Sequence, residues 1–343
     1  MAHGCMRGVR SLRNQSGRSR SRVADHTDAN RALPNSPSPE QTAASTGQLP
    51  PPLPRRDAPL RGIALVLLAS FFFTSGDTIS KLLTLEIPPL QVTWLRYCTF
   101  TAIMLAIVWR TGGVKQLRTQ RPKLQLLRAV GVLVSSVFFV TGLRHLPLAD
   151  ATATSFVAPL FVTALSIPIL RETIGWRRWT ATLIGFIGVL IVVRPGGSGF
   201  QIASLLAVTS ALCWAFAMIM TRMMSRTESP LTTLTYSAVI GLVLISLTMP
   251  FLWEPVTPWI VLLGIIIGVT STVGHWLTVL AYRHGDASLL APFSYIQLLW
   301  ASLFGYALFS VLPDFWTLVG AVIIAGSGLY TAHRERVRAK RLG

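Results

Sequence analysis

The chain has 343 residues, of which 51% are hydrophobic and only 13% charged, and its mean hydropathy is +0.54, yet its formal net charge is +18. Soluble domains carry about 25% charge, and a basic nucleic-acid binder is rich in charge rather than poor in it. The combination disfavours a cytosolic enzyme and a nucleic-acid-binding module, and fits an integral membrane protein whose Lys and Arg are confined to loops. Cys5, Cys98 and Cys213 show no CxxC or His/Cys spacing, so no disulfide framework, metal site or cofactor is expected.

Residues 1–60 differ from the rest, with a Ser/Arg stretch from Ser11 to Arg22 and a Pro-rich run from Leu49 to Pro54. Such a segment buries too little apolar surface to offset its ordering entropy, and a disordered basic cytoplasmic tail is expected. Arg55-Arg56 offers a twin-arginine reading, but no Phe-Leu-Lys-like sequence follows the pair and no cleavage site of small residues precedes the mature part.

From Gly62 onward, apolar runs recur near 62–82, 88–109, 125–143, 148–170, 176–193, 202–221, 230–250, 259–281, 287–308 and 315–331. A bilayer core takes about 20 apolar residues per helix, so ten transmembrane helices are expected, with no room for a soluble catalytic domain. Short cytoplasmic loops accumulate Lys and Arg. With the tail inside, those loops hold Arg110, Lys115, Arg118, Arg121, Lys123 and Arg128, then Arg171, Arg177 and Arg178, then Arg222 and Arg226, then Arg283. A basic C-terminal tail, 333–343, follows. Only Arg144 and Arg194 fall outside, and Lys81 and Arg96 lie within or at the edge of spans, so both termini are expected to be cytoplasmic. Trp109, Trp176, Trp179, Trp253, Trp259 and Trp316 fall at span ends, where an indole favours the interface. Trp94, Trp214, Trp276 and Trp300 fall inside spans, as candidates for packing or a cavity wall.

The second half laid over the first shows weak self-similarity. Lys81 meets Arg222 and Pro89 meets Pro230 at an offset of 141, while Arg144-His145 meets Arg283-His284 at an offset of 139. At 139, Ala181 also meets Gly320, and Phe156 to Pro159 meets Tyr295 to Leu298. Two five-helix units are expected, and because five is odd they insert in opposite orientations. Inverted repeats are typical of secondary transporters, with the substrate site at the repeat interface.

The stretch Gly142 to Pro195 resembles the C-terminal part of an EamA repeat of the drug/metabolite transporter superfamily. The matching features are a small-residue-rich fourth helix with Pro159 midway, an acidic Glu172 at its cytoplasmic end, and a fifth helix with Gly185 and Gly188. Lys81 and Arg96 also occupy family-typical positions. The resemblance covers about residues 62–332, with the first repeat at 61–195 and the second at 196–332. The second repeat departs from it: Leu298 replaces the helix-four proline, Pro292 sits six residues earlier, and Val311 replaces the glutamate. The resemblance implies a ten-helix carrier whose cavity is lined mainly by helices 1, 3, 4, 6, 8 and 9, with helices 5 and 10 peripheral. Substrates of the superfamily range from amino acids and nucleotide sugars to riboflavin, S-adenosylmethionine and metallophores, and the fold does not choose among them.

Ionisable groups inside a bilayer are costly and are functional candidates by default. Asp77 and Lys81 share a face of the first helix, and a rise of about 1.5 Å per residue puts Arg96 about 12 Å below the start of the second. An Asp77–Arg96–Lys81 cluster is therefore geometrically possible, either as a structural salt bridge or as a substrate or proton-coupling site. His275 is placed well inside a span, as a proton carrier or an interhelical hydrogen-bonding residue. Tyr295, Gln297, Trp300, Phe72, Phe139, Phe156 and Trp214 are candidate cavity-wall residues for a ring-bearing amphipathic metabolite, and Pro159 and Pro292 are candidate gating kinks, with Pro168 a further bend. Gly185/Gly188 and Gly320/Gly326/Gly328 read as close-packing surfaces.

With no Walker A or HExxH motif, the leading expectation is a secondary-active exporter of a small organic metabolite in the bacterial inner membrane, possible proton coupling included, as a monomer or homodimer. An importer or exchanger of riboflavin, S-adenosylmethionine or a similar solute is the second reading. A non-transporting receptor or scaffold is the third.

Overall fold

The computed structural model describes residues 59–171, 176–194, 202–224, 227–284 and 290–342, and every regular element among them is helical. α1 (Pro59–Leu83), α2 (Pro89–Thr111) and α3 (Pro122–His145) precede α4 (Leu148–Ser155), α5 (Ala158–Leu170) and α6 (Trp176–Val193). Then come α7 (Ala203–Met224), α8 (Pro230–Ser246), the short α9 (Met249–Leu252), α10 (Pro258–His284), α11 (Ile296–Phe309) and α12 (Phe315–Leu342), with 3-10 turns at Val114–Leu117 and Ala291–Tyr295. The expected tail with Cys5 and Arg55-Arg56, and Glu172, lie outside the described residues. The basic residues after 332 continue α12.

Proline in the first turn opens α2, α3, α5 and α8, where its fixed φ suits a helix and its missing N–H costs no bond. Inside the helices, Ser and Thr hydroxyls turn back onto their own carbonyls, as Thr74 does on Ser70 and Thr78 on Thr74, which satisfies them without water.

Of the ten expected spans, six are long and apolar enough to cross a bilayer: α1, α2, α3, α4 with α5, α7 and α10. The other four, in α6, α8, α11 and α12, are shorter apolar helices. Leu183, Ile184, Phe186 and Ile187 of α6 stand exposed, which lipid accommodates and water does not. The chain is thus a multi-pass membrane protein whose regular elements, among the described residues, are all helical.

Three sequence expectations change. The apolar run 148–170 is not one helix but breaks at Phe156–Val157, with Pro159 in the first turn of α5 and Pro292 in the first turn of the 3-10 segment. Each proline therefore starts a helical segment rather than kinking one, and Pro168 is the proline inside α5. Trp276 is 53% exposed, so it faces away from the bundle and forms no cavity wall. Trp109, Trp176, Trp179, Trp253, Trp259 and Trp316, at the ends of the predicted spans, are exposed.

The packing partners form a regular pattern. α1 packs chiefly on α10 and α3 on α7; α2 also packs on α10 and α3 on α8; α1 meets α11, and α5 meets α7; α6 pairs with α12. Exchanging each helix of the first five spans for its counterpart in the second five maps every one of these contacts onto another, or onto itself. Local geometry repeats at the 139-residue offset as well. The α-helix of the fourth span restarts at Ala158 after a two-residue turn, and that of the ninth starts at Ile296 directly after a 3-10 turn, one residue from the matching position. α5 and α11 then end at Arg171 and Ser310, both left-handed at φ 54, with N–H groups bonded to Ser166 and Gly305. Left-handed non-glycine residues are uncommon, so their recurrence at equivalent positions is informative.

Candidate functional site

Lys81 ends α1 and reaches the C-terminal end of α3. Its Nζ donates to the carbonyls of Leu143, at 2.7 Å, and of Leu146, which are acceptors that a helix terminus leaves open. It also lies 5.4 Å over the Phe309 ring and within electrostatic reach of Asp150. The expected Asp77–Arg96–Lys81 cluster therefore does not close: among the described residues, no hydrogen bond or ion pair joins Lys81 to Asp77 or Arg96. Main-chain carbonyls at a fixed distance take the ammonium instead.

Asp77 on α1 and Arg96 on α2 act on each other electrostatically without touching, and neither has a hydrogen-bond or ion-pair partner among the described residues. Both keep some accessible surface, although Asp77 lies deep among the helices. Asp77 therefore stands inside the bundle with part of its surface still accessible.

His275 of α10 lies in the same neighbourhood, within electrostatic reach of Arg96 and Arg128. Its ring meets Phe73 of α1 edge-on at 5.0 Å. Phe100 of α2, at 6.2 Å and 28°, and Trp214 of α7, at 6.4 Å and 30°, flank it with nearly parallel planes. Close approach of α1 and α10 depends on Gly274, where a Cβ would stand 2.9 Å from the Phe73 ring.

The remaining expected residues spread over two neighbourhoods. Phe156, at the break in the fourth span, meets Tyr295, its counterpart in the second half, at 4.8 Å, and both pack on a core of Ala153, Val157, Val189 and Ile324 along with Trp214. The Tyr295 hydroxyl fills the space beside Gly328 on α12, so Tyr295 braces that helix. Trp300 meets Phe71 edge-on at 5.5 Å and leaves its indole N–H buried without an acceptor among the described residues. Phe72 packs on Phe71, Phe139 packs against Leu143, Leu148 and Ala301, and Gln297 is half-buried in the first turn of α11.

Two ionisable residues escaped the sequence reading. Arg128, expected in a cytoplasmic loop, is buried at 6% exposure. Its guanidinium donates to Thr221 Oγ1 at 2.7 Å, to the Thr233 carbonyl at 3.3 Å and to Ser237. Asp150 accepts from Thr317 at 2.8 Å and borders a cavity of about 300 Å³ with Pro147, Arg194, Ser204 and Asp314. The available signal was position, since both fall within the predicted apolar runs 125–143 and 148–170.

A model described as the EamA-like transporter family matches residues 60–194 and again 201–331. The chain belongs to the EamA-like transporter family. The "S-adenosylmethionine uptake transporter" of Rickettsia bellii is 30% identical to it, over 80% of this chain and 94% of that protein. The "Riboflavin transporter" of Vibrio cholerae is 31% identical over 82% and 96%, and the "Pseudopaline exporter" of Pseudomonas aeruginosa is 28% identical over 77% and 93%. A solved structure titled only "Crystal structure of protein" shares the fold at a TM-score of 0.58 and 20% identity, covering 82% of this chain and 99% of its own. The resemblance seen in Gly142 to Pro195 extends to two consecutive family matches.

Proposed function

We propose that this chain is a secondary-active carrier of a small organic metabolite, working by alternating access across a bacterial inner membrane. Ten spans form two inverted repeats, 61–195 and 196–332, with both termini cytoplasmic. The observation that carries this reading is the exchange symmetry of the packing, with a matching left-handed cap in each half. A carrier needs two such equivalent arrangements, and a scaffold does not. We place the substrate recess at Asp77, Arg96 and His275, which come from helices of both halves, as a site at a repeat interface would. The loop-charge asymmetry supports the orientation.

Similarity to an S-adenosylmethionine uptake transporter and a riboflavin transporter favours a ring-bearing solute, and the first of these favours uptake over the export expected from sequence. Export is the second reading, supported by the pseudopaline exporter relative. The full chain in liposomes preloaded with unlabelled S-adenosylmethionine or riboflavin is expected to accelerate entry of the labelled solute. A pH gradient that alters this flux would mark proton coupling. Absence of counterflow for these solutes and pseudopaline, from a well-folded preparation, would overturn the carrier in favour of a receptor or scaffold.

A further inference from the structure

The recess is unbalanced in charge. Asp77 supplies one carboxylate, while Arg96 and Arg128 both act on His275. Arg128 is already engaged by Thr221, Thr233 and Ser237, whereas Arg96 has no hydrogen-bond or ion-pair partner among the described residues. A guanidinium without an acceptor at membrane depth is costly. Its planar donor fork matches a carboxylate in two parallel hydrogen bonds. Asp77, likewise without a donor and still accessible, is left for a cationic centre. His275, on which Arg96 acts, is flanked by Phe100 at 6.2 Å and Trp214 at 6.4 Å, each tilted by about 30° from its plane, an aromatic group that a flat heterocycle can stack against.

We infer that this recess takes an amphoteric organic solute bearing a flat ring. Arg96 receives its carboxylate, Asp77 its cationic centre, and the His275, Phe100 and Trp214 rings its heterocycle. The inference rests on the carrier reading for its location and goes beyond it in naming the substrate's chemistry. A neutral flat solute would leave both ions unpaired, and so is selected against.

Equilibrium binding to the full chain in detergent tests this without requiring transport. The probes are S-adenosylmethionine, its decarboxylated analogue and riboflavin. Removing the carboxylate is expected to weaken binding at least about tenfold, within the range of a charge-assisted hydrogen bond, with riboflavin weaker than S-adenosylmethionine. In Arg96→Gln the two adenosyl probes should bind alike, and Arg96→Lys should restore part of the preference. Equal binding of the two adenosyl probes to the unaltered chain, a preference that survives Arg96→Gln, riboflavin as the tightest probe, or no binding of S-adenosylmethionine would each overturn the inference. Flux without carboxylate preference would sink the inference and spare the carrier. The expected binding pattern without flux would do the reverse.

Discussion

The α3·α7 and α1·α10 interfaces occupy equivalent places in the packing pattern but are held together differently. Across α3·α7, Arg128 bonds Thr221, Ser135 and Ser210 share a hydroxyl contact at 3.1 Å, and Ser210 also donates to the Ser135 carbonyl at 2.8 Å. Across α1·α10, no hydrogen bond is found among the described residues. That seam relies on close packing, with Gly76 against Thr270 and Gly274 against Phe73. Interhelical hydrogen bonds in membranes contribute roughly 0.6–2 kcal/mol each. Two seams of the same origin thus differ by two or three such bonds, and the unfastened one carries Asp77 and His275. On the carrier proposed above, α3·α7 would be the scaffold and α1·α10 the working interface.

The largest effect is expected from crowding the fastened seam. A Cβ at Gly131 would stand 3.2 Å from Ala217 and 3.3 Å from the Cys213 carbonyl, and that carbonyl cannot rotate away. Gly131→Leu should lower stability by about 1–3 kcal/mol or more, visible as a fall in Tm in detergent; a Tm equal to that of the unaltered chain would show that the seam is not tight. Ser210→Ala is the milder version. It removes both Ser135 contacts and should cost about 1 kcal/mol, while binding in the recess is unchanged. A larger loss of binding than of stability would place Ser210 in the working part and erase the contrast.

How much of this was readable in the sequence depends on what fixes each feature. Bilayer thickness dictates the length of apolar runs, so six spans and four shorter apolar helices were legible in their order, and the 139-residue offset paired Phe156 with Tyr295, whose rings prove to be in contact. The break at Phe156–Val157 was not legible, because the residues on both sides are apolar or small and the hydropathy run crosses it unchanged. The partner of Lys81 was hidden for another reason: it is main-chain carbonyl, which carries no residue-type signal. Arg128 was misread because the loop-charge rule treats a basic residue near a span end as solvated, whereas the hydroxyls of Thr221 and Ser237, about a hundred residues on, accommodate it. Trp276 was misread because helical register decides its direction. Gly274, two residues before it, faces α1, so Trp276 points roughly to the opposite side.

A smaller effect is expected where α6 meets α12. Asp314 accepts from the Thr317 N–H at 2.7 Å, capping α12, and pairs with Arg194. Burial pushes its carboxyl pKa up, but the Thr317 bonds and the Arg194 guanidinium outweigh this and hold it below its ordinary value. A depressed folded value means that the stabilisation is present above the unfolded-state pKa and is lost as pH falls through the folded one. Asp314→Asn keeps the cap and removes a half-exposed ion pair, so it should cost less than about 1 kcal/mol at neutral pH. The Tm difference from the unaltered chain should disappear on acidification below the carboxylate range. A difference that persists there would mean that the pair is not its cause.

Asp77→Asn should have the smallest effect on stability and is the most decisive for the comparison. The side chain keeps its shape, among the described residues it has no hydrogen bond to lose, and neutralising a carboxylate deep among the helices offsets the lost attraction of Arg96, so Tm should not fall. Binding of S-adenosylmethionine should nonetheless fall about tenfold, since a desolvated carboxylate facing a cationic centre contributes that much. The reverse outcome, lower stability with unchanged flux, would make Asp77 a strut held by the field of Arg96. The α1·α10 seam would then be fastened after all, by charge at a distance instead of hydrogen bonds, and its difference from α3·α7 would be one of means rather than of function.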